Sequence, residues 1–250
     1  MGKAAVKEGS LLLDRVSVLI PYQTDHNGPR DSAFEWVLGF YERVMPEVEV
    51  CVGEIKDSGE LFSRSKAVNR AYLQATKDII VIADSDIVYD PNLLKKSITY
   101  VNDGQWVIPF SRILRLSKET SQLLLKRPRE WPLLIETDAA AEQATAFVGG
   151  FNVLGRDAYE AVGGYDERFV GWGGEDEAFA YALDTLIGRH LRMDGEMVHF
   201  WHPFVGPDGN PNYDSNYALY QRYQMARGNQ EEMRQLIQKP SSHEGGANSL

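Results

Sequence analysis

The sequence has a single cysteine, Cys51, in 250 residues. One thiol excludes an intrachain disulfide and any cysteine-based metal site, and it fits a reducing compartment. No stretch approaches the roughly 20 consecutive apolar residues that span a bilayer. Met1 to Ser10 is polar and lacks the apolar run of a signal peptide. Basic charge is also in deficit, with 26 Lys and Arg against 36 Asp and Glu and a formal net charge of −10. Nucleic-acid binding needs a basic face, so general nucleic-acid binding is not expected. These absences lead to the expectation of a cytoplasmic protein with no transmembrane segment. There is no internal repeat, and no linker that would split the chain.

What is present is ordinary for a globular protein: 43% hydrophobic and 25% charged residues. The length allows one large domain or two small ones. We expect a single domain over residues 1–239 and a disordered tail from 240 to 250, which is rich in Ser and Gly. Aromatic residues make up 11%, which suits stacking on sugars or bases, although core packing uses most of them.

Apolar patterning places strands at 16–20, 48–52, 79–83, 106–110 and 147–154. Helical spacing places helices at 34–44, 60–76, 91–101, 157–162, 175–187 and 217–238. Residues 22–31 form a loop, 56–59 a turn, and 190–193 with 196–201 two strands flanking the turn at Asp194-Gly195. The segment 114–142 predicts a helix followed by an excursion over a cleft. Alternating strands and helices at the start predict a mainly parallel sheet covered by helices. In such sheets ligands sit at the carboxyl ends of the strands.

Asp84 and Asp86 stand at such an end, after Ile79-Ile80-Val81-Ile82-Ala83. Two carboxylates spaced i, i+2 offer one hard oxygen ligand to a divalent cation and one group for a hydroxyl or a bound water. Taken alone, Asp-x-Asp is equally a polar strand end. Arg64 and Lys66, in Phe62-Ser-Arg-Ser-Lys-Ala-Val-Asn69, are candidates for neutralising phosphate from a helix start, against the plainer alternative of a solvated basic face. Gly171-Trp172-Gly173-Gly174-Glu175-Asp176 is more specific. Its glycines let an indole plate move, sugars present C–H faces to such a plate, and a carboxylate beside it can take a proton from an acceptor hydroxyl. Acidic residues are also favoured at a helix start, so part of that cluster has a structural explanation. Downstream, Glu196-Met-Val-His199-Phe-Trp-His202 adds two imidazoles suited to borderline metals.

In this order the pieces resemble the GT-A class of glycosyltransferases, particularly the β-1,4-galactosyltransferase group, the polypeptide N-acetylgalactosaminyltransferases and the bacterial chondroitin synthases. The likeness runs from about Val16 to Pro203 and is most specific from Gly149 to Asp176. It implies an α/β sandwich around a mixed, mainly parallel twisted sheet, and metal-dependent transfer of a hexose or N-acetylhexosamine from a UDP-sugar to an acceptor hydroxyl. It implies Mn2+ (or Mg2+) held by Asp86 and His199, with Glu196 or His202 as a third ligand. On the donor side it implies Pro21, Phe62, Arg64, Lys66, Asp84, Ser85, Asp86 and Gly150. On the acceptor side it implies Trp172, Gly173 and Gly174. Asp176 would be the base, with Glu175 holding a sugar. The Glu-Asp order is that of the inverting relatives, whereas retaining ones carry Asn second.

The chain departs from the resemblance in two places. Tyr22-Gln23-Thr24-Asp25 stands where the galactosyltransferases have an Arg-rich loop, and Glu196 where they carry a Met ligand. The membrane anchor of the animal enzymes has no counterpart. Three rival readings are a retaining N-acetylgalactosaminyltransferase-like enzyme, a sugar nucleotidyltransferase and an inactive carbohydrate-binding protein. The nucleotidyltransferase reading lacks its usual Gly-rich basic loop after the first strand. The acceptor is left open among glycan, lipid-linked and other hydroxyls.

Overall fold

The structure is a computed structural model that describes residues 12–56, 61–135, 142–204 and 206–238. Most of the turn expected at 56–59, and the tail expected from 240, lie outside these residues. The elements are β1 (Val16–Tyr22), α1 (Pro29–Val44), β2 (Glu49–Glu54), α2 (Arg64–Tyr72), β3 (Ile79–Ala83), β4 (Ile87–Tyr89), α3 (Pro91–Asn102), β5 (Val107–Ile108), β6 (Arg112–Arg115) and α4 (Lys118–Leu124). They continue with β7 (Glu142–Gln143), β8 (Phe151–Gly155), α5 (Arg156–Ala161), α6 (Glu175–Leu186), β9 (Leu191–Arg192), β10 (Glu196–His199), α7 (Tyr213–Ala226) and α8 (Gln230–Ile237).

The apolar runs at 16–20 and 79–83 become the strands of a six-stranded sheet ordered β2-β1-β3-β8-β5-β9. β1 pairs in parallel with both β2 and β3, whereas β3 pairs antiparallel with β8. The sheet is therefore mixed. β3 is buried at all five positions, as its unbroken apolar composition requires. A second sheet, β4-β10-β6-β7, stands beside it. Tyr89 of β4 stacks on Phe151 of β8 with centroids 3.7 Å apart, which joins the sheets through one continuous cluster of buried side chains.

Several boundaries differ from the pattern-based expectation, each for a local reason. α1 begins at Pro29, which needs no N–H partner in the first turn. α2 is shorter than the expected 60–76, because Ser63 caps it by accepting a hydrogen bond from the Lys66 N–H. The strand expected from 147 begins only at Phe151. The pair expected around Asp194-Gly195 is not a hairpin: β9 joins β5 in the first sheet, and β10 joins β4 and β6 in the second. The helix expected over 217–238 is split at Gly228, where φ is +80°, and Asn229 caps α8. β4 and β6 are too short, at 3 and 4 residues, to show a period. Among the described residues no helix is long and apolar enough to cross a membrane.

Helix α2 presses on β2 at Gly53. A Cβ there would lie 1.7 Å from the Ala67 carbonyl oxygen and 2.9 Å from the Ala71 nitrogen, both backbone atoms. Gly53→Ala must push the helix off the strand, and overpacking of this kind costs about 2–3 kcal/mol. We expect Tm to fall by roughly 5–10 °C in a thermal melt, and an unchanged Tm would refute the close approach.

Candidate functional site

At the end of β3 the chain passes through Asp84-Ser85-Asp86 and turns directly into β4. β4 pairs antiparallel with β10, placing His199 opposite Ile87, and the Phe200 N–H donates to the Asp86 carbonyl at 2.9 Å. This backbone pairing brings the two downstream imidazoles to Asp86. His199 Nε2 lies 3.7 Å from Asp86 Oδ1, and His202 Nε2 lies 3.1 Å from Oδ2. Arg30 Nη1 stands 3.9 Å from Oδ2. Asp86 is only 4% exposed. Burial alone would raise its carboxyl, but the charges of His199, His202 and Arg30 outweigh this and hold it well below the usual carboxylate range. Burial pushes His199 down, and the nearby Asp86 charge only partly offsets that, which favours the neutral imidazole a metal needs.

One ligand atom from each of Asp86, His199 and His202 fits within a 4.8 Å span. A carboxylate oxygen with two imidazole nitrogens suits a first-row divalent cation. His202 Nδ1 is 2.9 Å from the Pro203 carbonyl and 3.0 Å from Arg30 Nη2; donating to the carbonyl leaves Nε2 free for a metal, whereas accepting from Arg30 places the proton on Nε2. Glu196 is not in this group. It sits three residues before His199 on the same strand, and side chains that alternate at period two then point to opposite faces. The third candidate ligand is therefore His202, which lies beyond the end of the strand.

The second group forms around the start of α2. Arg64 is 9% exposed. Its Nε and Nη2 donate to Asp84 Oδ1 at 3.0 and 2.7 Å, and its Nη1 donates to Asp176 Oδ1 at 2.6 Å. The Tyr165 hydroxyl donates to the same Asp176 oxygen at 3.0 Å, with the Tyr165 ring 5.3 Å from the guanidinium carbon. The other oxygen, Oδ2, lies over Gly149, where a Cβ would sit 2.0 Å from it. Gly150 accepts from the Asp84 N–H at 3.0 Å. Asp176 occupies the first turn of α6, whose N-cap Gly174 has φ +93°, a conformation that favours glycine. Burial pushes the Asp176 carboxyl above its ordinary range, although the Arg64 charge pulls it back. Glu175 is raised by burial and by the Asp176 charge. One arginine thus joins Asp84 to Asp176, and Asp84 stands two residues from the Asp86 group.

Trp172 is 41% exposed at the lip of this site. Its loop is held on both sides. The Gly171 N–H donates to the Phe62 carbonyl at 2.9 Å, and Asn210 Nδ2 donates to the Trp172 carbonyl at 2.8 Å. Gly173 donates its N–H to Glu175 Oε2 at 3.1 Å. Ser85 is buried between the two aspartates, and Pro21 is buried in β1 beside Gly53. Lys66 is placed differently from the expectation. Two residues along a helix from Arg64, it projects from another side and lines a surface hollow of about 690 Å³ with Asn69, Arg70 and Glu167.

Arg30 and Tyr165 were not singled out as site residues in the sequence. Arg30 is aimed by a compact loop in which Asp31 accepts from the Tyr22 and Thr24 hydroxyls, each at 2.8 Å, while Asp25 accepts from the Arg30 N–H at 2.9 Å. The signal was a loop of Asp, Asn, Gly and Pro just after the first strand.

Comparison with known proteins gives three findings. A family model described as the N-terminal domain of galactosyltransferase matches residues 138–202, roughly a quarter of the chain. No curated protein matches. Among solved structures, the catalytic domain of Drosophila β1,4-galactosyltransferase 7 in complex with xylobiose is similar at 15% identity and a TM-score of 0.43, over 92% of this chain and 82% of that one. The mannosyltransferase PcManGT from Pyrobaculum calidifontis, in complex with GDP-Man and Mn2+, is similar at 15% identity and a TM-score of 0.45, over 92% and 73%. The family match spans Gly149, the Trp172 loop, Asp176, His199 and His202, so the part of the chain similar to galactosyltransferases carries both groups of site residues.

Proposed function

We propose that this chain acts as one catalytic domain that moves a hexose or N-acetylhexosamine from a UDP-sugar to an acceptor hydroxyl, with inversion. The observation that carries this reading is Arg64, which ties Asp84 and Asp176 together two residues from the Asp86–His199–His202 group. The donor diphosphate lies at that group, with Asp86, His199 and His202 holding Mn2+ or Mg2+. A divalent cation there supplies positive charge to the departing diphosphate. Arg30 adds a fixed positive charge on the same side, in place of the Arg-rich loop that this chain lacks. Asp84 orients the ribose or donor sugar. Trp172 packs on the acceptor, and Glu175 holds a sugar hydroxyl.

In the transfer step the acceptor oxygen bonds to the anomeric carbon as that carbon's bond to the diphosphate oxygen breaks. The acceptor proton passes to Asp176, and UDP leaves with the bonding pair. Burial keeps Asp176 basic enough to take that proton, while Arg64 and Tyr165 fix its orientation.

Four outcomes test this. A screen of UDP-sugars with divalent metal should release UDP, whereas release of pyrophosphate would identify a nucleotidyltransferase. Asp176→Asn should keep donor binding and lower transfer by on the order of 10²–10⁴-fold, and transfer at the wild-type rate would remove the base assignment. The raised Asp176 carboxyl must be ionised to act, so wild-type turnover should fall with decreasing pH along a limb above the ordinary carboxylate value of about 4. In calorimetry with Mn2+, Asp86→Ala and His202→Ala should each weaken binding by on the order of 100-fold, while Glu196→Ala leaves it unchanged. Equal losses from Glu196→Ala would return Glu196 to the metal site.

A further inference from the structure

Beyond Trp172 the structure holds a row of aromatic rings that the proposed transfer does not use. Phe204 meets Trp172 edge-on, with centroids 6.3 Å apart. Trp172 stacks with Tyr213 at 6.2 Å and 19°. Tyr213 stacks with Tyr217 at 6.2 Å and 16°, and Tyr217 with Tyr220 at 6.0 Å and 29°. The three tyrosines occupy i, i+4 and i+7 of α7, one face of the helix. On that face Tyr217 is 49% exposed, Tyr213 and Tyr220 are half-buried, Tyr220 against Tyr181, and off the helix Phe204 is 79% exposed.

Large apolar rings left in water on one helix face ordinarily mark a binding surface. This one is fixed to the catalytic loop. Buried Asn216, one helical turn from both Tyr213 and Tyr220, donates through Nδ2 to the carbonyls of Val170 and Trp172 at 3.1 and 3.3 Å, and accepts from the Val170 N–H at 3.3 Å. The helix and the Trp172 loop therefore hold their rings in one fixed relation.

We propose that this row is an extended acceptor track that binds a linear, uncharged oligosaccharide, one sugar face per ring, leading its terminal hydroxyl to Asp176. The inference rests on the reading of Trp172 as the acceptor platform. Three features select this occupant. The row is continuous with the residue that would meet the acceptor. Phenol rings pair an apolar face with a hydrogen-bonding tip, as a pyranose pairs C–H faces with hydroxyls. The segment from Pro203 to Gln221 contains no Lys or Arg, only Asp208 and Asp214 as charged residues. A polyanion therefore finds no counter-charge within this segment, while Arg227 stands near its Tyr220 end, 5.0 Å from the Tyr181 ring that packs on Tyr220.

The test is direct binding, without donor or metal, of xylo-, cello- and chito-oligosaccharides of two, four and six units, followed by tryptophan fluorescence. Affinity should rise with length in at least one series. Tyr217→Ala should weaken hexasaccharide binding by on the order of fivefold and flatten the length dependence, while Met225→Ala, exposed on the same helix, leaves both unchanged. Absence of binding in every series, a Tyr217→Ala variant that binds the hexasaccharide as wild type does, or a concentration-dependent dimer that hides these rings in sedimentation would each overturn the track. Because this assay reads no turnover, it is independent of the donor screen: length-dependent binding together with no UDP release in that screen would sink the transferase reading and leave the row as an oligosaccharide-binding surface only.

Discussion

A guanidinium held between two carboxylates organises this molecule. Arg64 is withdrawn from solvent at the start of α2 and donates to Asp84 at the end of β3 and to Asp176 in the first turn of α6. These three residues come from distant parts of the sequence, and α2 reaches them only because Gly53 lets it lie against β2. Removing one partner from such a buried cluster strands the others and costs about 3–5 kcal/mol. The arginine therefore sets the position of both carboxylates as well as their charge. It is the counter-ion of both.

Around that clamp the site divides into a positive and a negative half. Arg30, His199 and His202 crowd Asp86 and keep it ionised, whereas Asp176 and Glu175, half-buried beside each other, are held toward their protonated forms. The first environment suits an anion sharing a cation. The second suits a carboxylate that accepts a proton near neutral pH. Two aspartates that look alike in sequence are thus pushed in opposite directions, one by neighbouring charge and the other by burial.

Strands long enough to show a period were legible in the sequence, as were helices with a clear apolar face. β1, β3, α3, α5 and α6 appeared close to their observed bounds. β4 and β6 did not, because three or four residues carry no period of their own. They exist because β10 pairs with both. The two strands expected on either side of Asp194-Gly195 are present, but they pair in different sheets and not with each other.

Composition and motif order determined the kind of protein this is. The deficit of basic charge, the lone cysteine, the apolar run ending at Asp84 and Asp86, and the Gly/Trp loop ending at Asp176 are all local features that any fold must carry. Which of those groups face one another was decided only by the tertiary structure. Alternation along β10 turned Glu196 away and left His202 beside Asp86. The pitch of α2 sent Lys66 to another side from Arg64, and the loop after β1 delivered Arg30 to a place that its own sequence does not reveal. The direction of a side chain depends on strand register and helix phase, and these are fixed by packing between segments far apart in the chain.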